Sequence, residues 1–292
     1  MRTFAGGQIV FRPSGSAYYD FDNSCGRSIH RIGISGVSSK KYRGKLCAYC
    51  WAESQSADHV PPRNLFAVED RTGLVKVPAC TKCNAEFSLD DEYTRLVLSL
   101  DSELADRDDI SQISSEAIRS LGNPKKAGLL KSVQQSIRYV DRVTPSGLYI
   151  DRAPVVSINN MKLQALAAHI ARGLYYEVRK APLPRRCTVT ARHAWDFVQE
   201  PGAVGDSFRL LADYVVNKGQ ERVIANGKFR YWYTFAEEFD KELATQGEQR
   251  DPYFSIWYLS LYDRFEFLVF TSSSKEPQME AETPEATVPV AS

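Results

Sequence analysis

No stretch of this chain is apolar for long enough to cross a bilayer, which takes roughly 18 consecutive residues. The most apolar run, Tyr253 to Tyr262, is short and interrupted by Ser255 and Ser260. The opening residues, Met1 to Gly7, also lack the apolar stretch of a secretory signal. A cytoplasmic protein with no membrane partner is therefore expected. An excess of charge is missing too: 37 Lys and Arg stand against 36 Asp and Glu, a net charge of +1. That excludes a protein that coats nucleic acid by bulk electrostatics alone. Any contact with a polyanion must come from a local patch. No internal repeat is present. What remains is an ordinary globular composition, 43% hydrophobic and 25% charged over 292 residues, enough to bury a substantial core without disulfides.

The local patch exists. From Gly26 to Lys45 the chain carries Arg27, Arg31, Lys40, Lys41, Arg43 and Lys45 and no acid. Cations on a solvated loop have the same look, so the patch alone does not define a site. Four of the six cysteines form two Cys-x-x-Cys pairs, Cys47/Cys50 and Cys80/Cys83, while Cys25 and Cys187 stand alone. In a reducing compartment such pairs read as metal ligands before they read as disulfides. Two knuckles supply four thiolates, the set that suits tetrahedral Zn²⁺ and leaves no position for water, so this zinc would be structural. Four unrelated buried or redox-active thiols are the competing reading. Between Cys50 and Cys80 lie 29 residues (80 − 50 − 1), against a usual spacing of roughly 15–20 residues. Something is built into that loop, and it contains Asp58-His59-Val60-Pro61-Pro62.

The periodicity predicts four regions. Residues 1–46 form a basic arm with one strand at Gln8 to Arg12. Residues 47–105 form a zinc-stapled module. Residues 106–271 form a larger α+β region with antiparallel strands, and 272–292, rich in Ser, Pro, Glu and Ala, a disordered tail. In the module, Leu74 to Val77 reads as a strand. A helix is predicted from Ser88, where Ser88 and Asp91 have the spacing of a capping box; Asp90, Asp91 and Glu92 would then favour its positive end, with extra metal ligands the competing reading. Further helices are predicted at Ser114–Leu121, at Pro124–Val140, and from Asn159 or Asn160 to the Pro182 and Pro184 breakers. Asn226-Gly227 and Asp263-Arg264 mark hairpins, and the near-continuous apolar character of Tyr253–Tyr262 and Phe265–Phe270 predicts strands buried on both faces.

The stretch Cys47 to Asn84 resembles the HNH, or ββα-metal, endonuclease family in its four-cysteine branch: an Asp-His pair between two knuckles and an Asn directly after the last cysteine. The resemblance implies a β-hairpin and helix around one divalent ion. It makes Asp58 and Asn84 metal ligands, His59 the general base, and the reaction a phosphodiester hydrolysis in nucleic acid, with DNA as the expected substrate. Elementary chemistry agrees. A neutral imidazole takes a proton from water near pH 7, and a carboxylate with an amide oxygen suits Mg²⁺ or Mn²⁺. Neighbours on a strand face opposite ways, so the pair could serve one ion only across a bend, for which Pro61-Pro62 gives a reason. Arg43, Lys45, Arg63 and Lys82 are the expected nucleic-acid contacts, with Lys76 also flanking the site. Read singly, His59 is a packed histidine and Asn84 a helix cap. The chain also departs from the family: the second strand has no Asn, and Phe87 stands where a basic residue is common. His169 and His193 read as structural, Arg172 to Tyr176 has no assigned chemistry, and the C-terminal region could form a homodimer. The competing functions are a zinc-stapled nucleic-acid-binding or assembly module without catalysis, and a Cys-x-x-Cys redox protein.

Overall fold

The computed structural model describes residues 41–199, 202–238 and 251–273. The strand expected at Gln8 to Arg12, together with Cys25, Arg27, Arg31, Lys40 and the tail from residue 274, lies outside them. The fold class is the expected one, mixed α+β. Among the described residues there are six α-helices and three antiparallel sheets.

The first sheet is a hairpin of β1 (Ser56–Val60) and β2 (Val75–Ala79), with Asp58 opposite Val77 and His59 opposite Lys76. It leads directly into α1 (Thr81–Leu100). This helix starts well before Ser88. The residue that caps it is Cys80, whose Sγ accepts from the Cys83 amide, satisfying one of the donors every helix start leaves orphaned. Ser88 instead donates to the Ala85 carbonyl at 2.7 Å. Asp90, Asp91 and Glu92 consequently sit in the middle of α1, away from the helix start they were expected to favour.

Next come α2 (Asp108–Leu121) and α3 (Ala127–Ser136). The helix expected to reach Val140 stops at Ser136. From Ile137 the chain is β3 (Ile137–Val143), paired with β4 (Tyr149–Val156). Its β-branched and aromatic residues favour the pleated ladder once a partner strand is in reach. Then α4 (Asn160–Arg179) runs as expected, its cap Asn159 accepting from the Met161 amide at 3.0 Å.

The C-terminal sheet has five strands in the order β5-β9-β8-β7-β6: β5 (Cys187–His193), β6 (Gln220–Ile224), β7 (Phe229–Phe235), β8 (Ser255–Leu261) and β9 (Phe265–Ser273). Both expected hairpins form. Between β5 and β6 lie α5 (Ala194–Gln199) and α6 (Ala203–Lys218), in a region expected to be mostly strand. Phe208, Leu211, Ala212 and Val215 have helical spacing and pack on Ile256 and Leu268. The buried pattern of β8 follows, because α4 lies over one face of the sheet and α5 and α6 over the other.

One apolar cluster runs from Cys47 through α1 and α4 to Val269, so the core crosses residue 105 without a break. Its tightest contact is Gly173 of α4 against β1. A Cβ on Gly173 would stand 2.5 Å from Val60 Cγ2 and 3.2 Å from the Tyr49 hydroxyl. Val60 is buried and branched and has nowhere to go. Gly173→Ala is expected to cost about 1–3 kcal/mol, visible as a lower midpoint in thermal unfolding. A melting curve unchanged from the native chain would show that α4 can shift freely on the hairpin.

Candidate metal centre

The first knuckle turns at Trp51, whose φ is +66°, with the Trp51 amide donating to the Cys47 carbonyl at 3.2 Å. Its indole N–H reaches the Leu183 carbonyl at 2.8 Å, and the Ala48 amide donates to Pro78 of β2 at 2.9 Å. The second knuckle is the first turn of α1. Together they bring the sulfurs of Cys47, Cys50, Cys80 and Cys83 within 4.8 Å of one another. Cys50 Sγ and Cys80 Sγ are 3.5 Å apart. A disulfide needs about 2.05 Å, whereas zinc with bonds of about 2.3 Å in a tetrahedron sets sulfurs about 3.8 Å apart. The four cysteines thus fit and could hold a metal ion such as zinc.

Asp58 points into the core, toward residues that the sequence pattern did not connect with it. Its Oδ2 accepts from the Tyr49 hydroxyl at 2.7 Å and lies 3.0 Å from His169 Nε2. Burial works against its charge, but His169, Tyr49 and the His59 amide outweigh it and hold the carboxyl below the usual carboxylate range. His169 is 2% exposed. Its ring stacks on Phe87 of α1 at 3.7 Å and meets Tyr49 edge-on at 4.5 Å. The one available signal was a polar residue on the buried stripe of α4. The neighbouring stretch from Arg172 has a packing explanation: Arg172 is 3% exposed and donates to the Cys187 carbonyl at 3.0 Å, while Gly173 makes the close approach to β1.

Asp91 lies on α1 seven positions after Asn84, hence on the same helix face. Its Oδ1 is buried without a hydrogen-bond partner. Its neighbours are otherwise engaged: Asp90 pairs with Lys162, and Glu92 with Arg95 and Lys126. Burial first, then the charge of Asp58, pushes the Asp91 carboxyl up to about 8 from an ordinary 3.8. A folded value above the unfolded one means no cost in acid and a growing cost as pH rises toward 8. Without added divalent ions, Asp91→Asn is expected to stabilise the fold by on the order of a few kcal/mol at pH 8 and by little near pH 4. Thermal melts at the two pH values check this. An equal gain at both would mean the carboxylate is not the source.

The expected site residues are only partly gathered. His59 is half-buried and projects from the other side of β1, across from Lys76. Burial first, then Lys76 and Arg63, holds its imidazole below 6.5. The ladder stays regular through Val60, and the irregularity begins after the pair, at Pro61. No bend therefore turns Asp58 and His59 to one side. Asn84 is exposed on the first turn of α1. Arg43, Lys45, Arg63, Lys76 and Lys82 are all exposed. Among the described residues no helix is long and apolar enough to cross a membrane. Comparison with family models, curated proteins and solved structures finds no match to this chain.

Proposed function

We propose that this chain is a divalent-ion-dependent endonuclease of HNH type that hydrolyses phosphodiester bonds in nucleic acid, with DNA the first substrate to test. The observation that carries the proposal is the order of parts. A hairpin runs into a helix, with a cysteine pair just before it and another at the helix start, and a buried Asp58 lies electrostatically coupled to the orphaned carboxylate of Asp91. Asp58 is paired with His169, whereas Asp91, its charge disfavoured by Asp58, has no compensating cation among the described residues. Asp58 and Asp91 would offer the hard oxygens that suit Mg²⁺ or Mn²⁺, whereas Asn84, exposed and about 10 Å along α1 from Asp91, is not positioned to share that ion. Such an ion would supply charge stabilisation on the scissile phosphate and the leaving oxygen.

The protein's own groups do the rest. His59, kept neutral, accepts the proton of the attacking water at a ring nitrogen. Among the described residues β1 pairs only with β2, and adjacent Cα atoms are about 3.8 Å apart. With no bend between them, Asp58 and His59 lie on opposite faces of β1, so this reading requires the imidazole to reach the attacking water around the outer edge of the strand. Arg63, Lys76 and Lys82, with Arg43 and Lys45 earlier in the chain, supply the cations for phosphates. The four thiolates hold a structural zinc that anchors both ends of the hairpin.

One observation favours a second reading. Asp58 Oδ2 is already engaged by Tyr49 and His169, as a purely structural carboxylate would be, and the chain would then be a zinc-stapled nucleic-acid-binding or assembly module without catalysis. Incubation with duplex, branched and single-stranded DNA and with RNA, in Mg²⁺ or Mn²⁺, separates the two. Divalent-dependent cleavage that is lost in His59→Ala supports the nuclease. Salt-dependent binding without cleavage in either ion supports the module.

A further inference from the structure

We infer that His169, carried on α4 far from the hairpin in sequence, is a positioning residue for Asp58 and acts together with Tyr49; this rests on the reading of Asp58 as a ligand of the divalent ion. Two donors from different elements converge on one oxygen. Tyr49 comes from the first knuckle and His169 from α4, and both meet Oδ2, at 2.7 and 3.0 Å. A carboxylate gripped twice at one oxygen cannot rotate about its terminal bond. Its Oδ1 is the oxygen that neither donor holds, and on the reading of Asp58 as a ligand it is the one that would meet the ion.

The gripping groups are themselves fixed. The His169 ring lies flat on Phe87, with 17° between the planes, and edge-on to Tyr49. Phe87 also meets Tyr49 edge-on at 5.1 Å. Three elements, the knuckle, α1 and α4, are thereby locked around one carboxylate. Phe87 stands where a basic residue was the expectation, and its flat face against the imidazole accounts for an apolar ring there. One turn farther along α4, Gly173 removes the side chain that would hold the helix off Val60 and Tyr49. The histidine and the glycine serve one end, bringing α4 close enough to β1 to reach Asp58. Outer hydrogen bonds to a metal-ligating group typically change metal affinity about 10–100-fold. The larger α+β region is thus a component of the site, and the zinc-stapled segment alone lacks the group that aims its carboxylate.

The test uses the full chain and Mn²⁺ as the probe, with affinity read by electron paramagnetic resonance or calorimetry, and with zinc content and thermal unfolding recorded for each variant. His169→Leu is expected to weaken Mn²⁺ binding about 10–100-fold. His169→Gln, whose amide N–H can reach the position of Nε2, should recover most of that loss, and Tyr49→Phe should weaken binding by a smaller factor. If His169→Leu does not fold, the Gln and Phe variants carry the comparison. Should His169→Leu bind Mn²⁺ like the native chain while Asp58→Asn does not bind it, the positioning role is wrong and the ligand role of Asp58 stands. A Gln variant as weak as the Leu variant overturns the hydrogen bond as the cause and leaves only ring packing. Mn²⁺ binding that is unaltered in Asp58→Asn removes Asp58 from the ion and overturns both.

Discussion

Removing the ion from the four thiols, by a strong chelator or by Cys83→Ser, is expected to unfold the hairpin and the start of α1 and to lower the melting temperature of the whole chain. The hairpin has two strands of five residues each, and an isolated two-stranded ribbon is marginal in water. Its ends are held by the knuckles. A structural zinc site contributes on the order of 10 kcal/mol of folding free energy, more than any single apolar contact in this segment can supply. The effect should spread beyond the segment, because Val60, Val77 and Phe87 share one core with Leu166, Ile170 and Leu174 of α4. Circular dichroism melts with and without chelator, together with colorimetric zinc release, measure both parts. A protein that contains no zinc as purified and melts unchanged in chelator would mark the cysteines as packed thiols. Two dithiols that titrate freely with a thiol reagent would point to redox chemistry.

How far the fold can be read from the sequence depends on how local each cause is. The knuckles are legible because a Cys-x-x-Cys turn needs only four residues to aim two sulfurs. Asn159 and the stripe behind it announce α4, and Asn226-Gly227 announces the β6–β7 turn, for the same reason. The start of α1 is misread because a thiol, and not the hydroxyl of Ser88, caps it. The helix α6 is hidden because its apolar face is narrow and its partners, Ile256 and Leu268, come from strands far along the chain. The grip of His169 on Asp58 spans 111 positions. No periodicity encodes such a contact, so a polar group on an apolar stripe is the whole of its trace. Asp91 is the intermediate case. Its position on the face of Asn84 follows from helix geometry, but only the true start of α1 shows that it lies too far from the N-terminus to serve the helix dipole.

His59→Ala is expected to reduce divalent-dependent cleavage by about 10²–10⁴-fold while zinc content and melting temperature stay near those of the native chain. The imidazole is half-buried on the side of β1 away from Tyr49 and His169. Its removal deletes a proton acceptor and little else. The same environment sets the pH dependence. Burial first, then Lys76 and Arg63, keeps the ring below its ordinary 6.5, and the base works only when unprotonated. With divalent ion at saturation, which keeps Asp91 ionised, the half-maximal rate on the acid side should therefore lie below pH 6.5. Lys76→Glu would relieve the ring of one repelling cation, supply an attracting anion, and move that half-maximal point to higher pH. A structural histidine would show neither behaviour. Full cleavage by His59→Ala would move the base elsewhere, and a chain that never cleaves but binds nucleic acid through Arg63 and Lys82 would leave the hairpin as a zinc-anchored reader of phosphates, with Asp58 a bolt between β1 and α4.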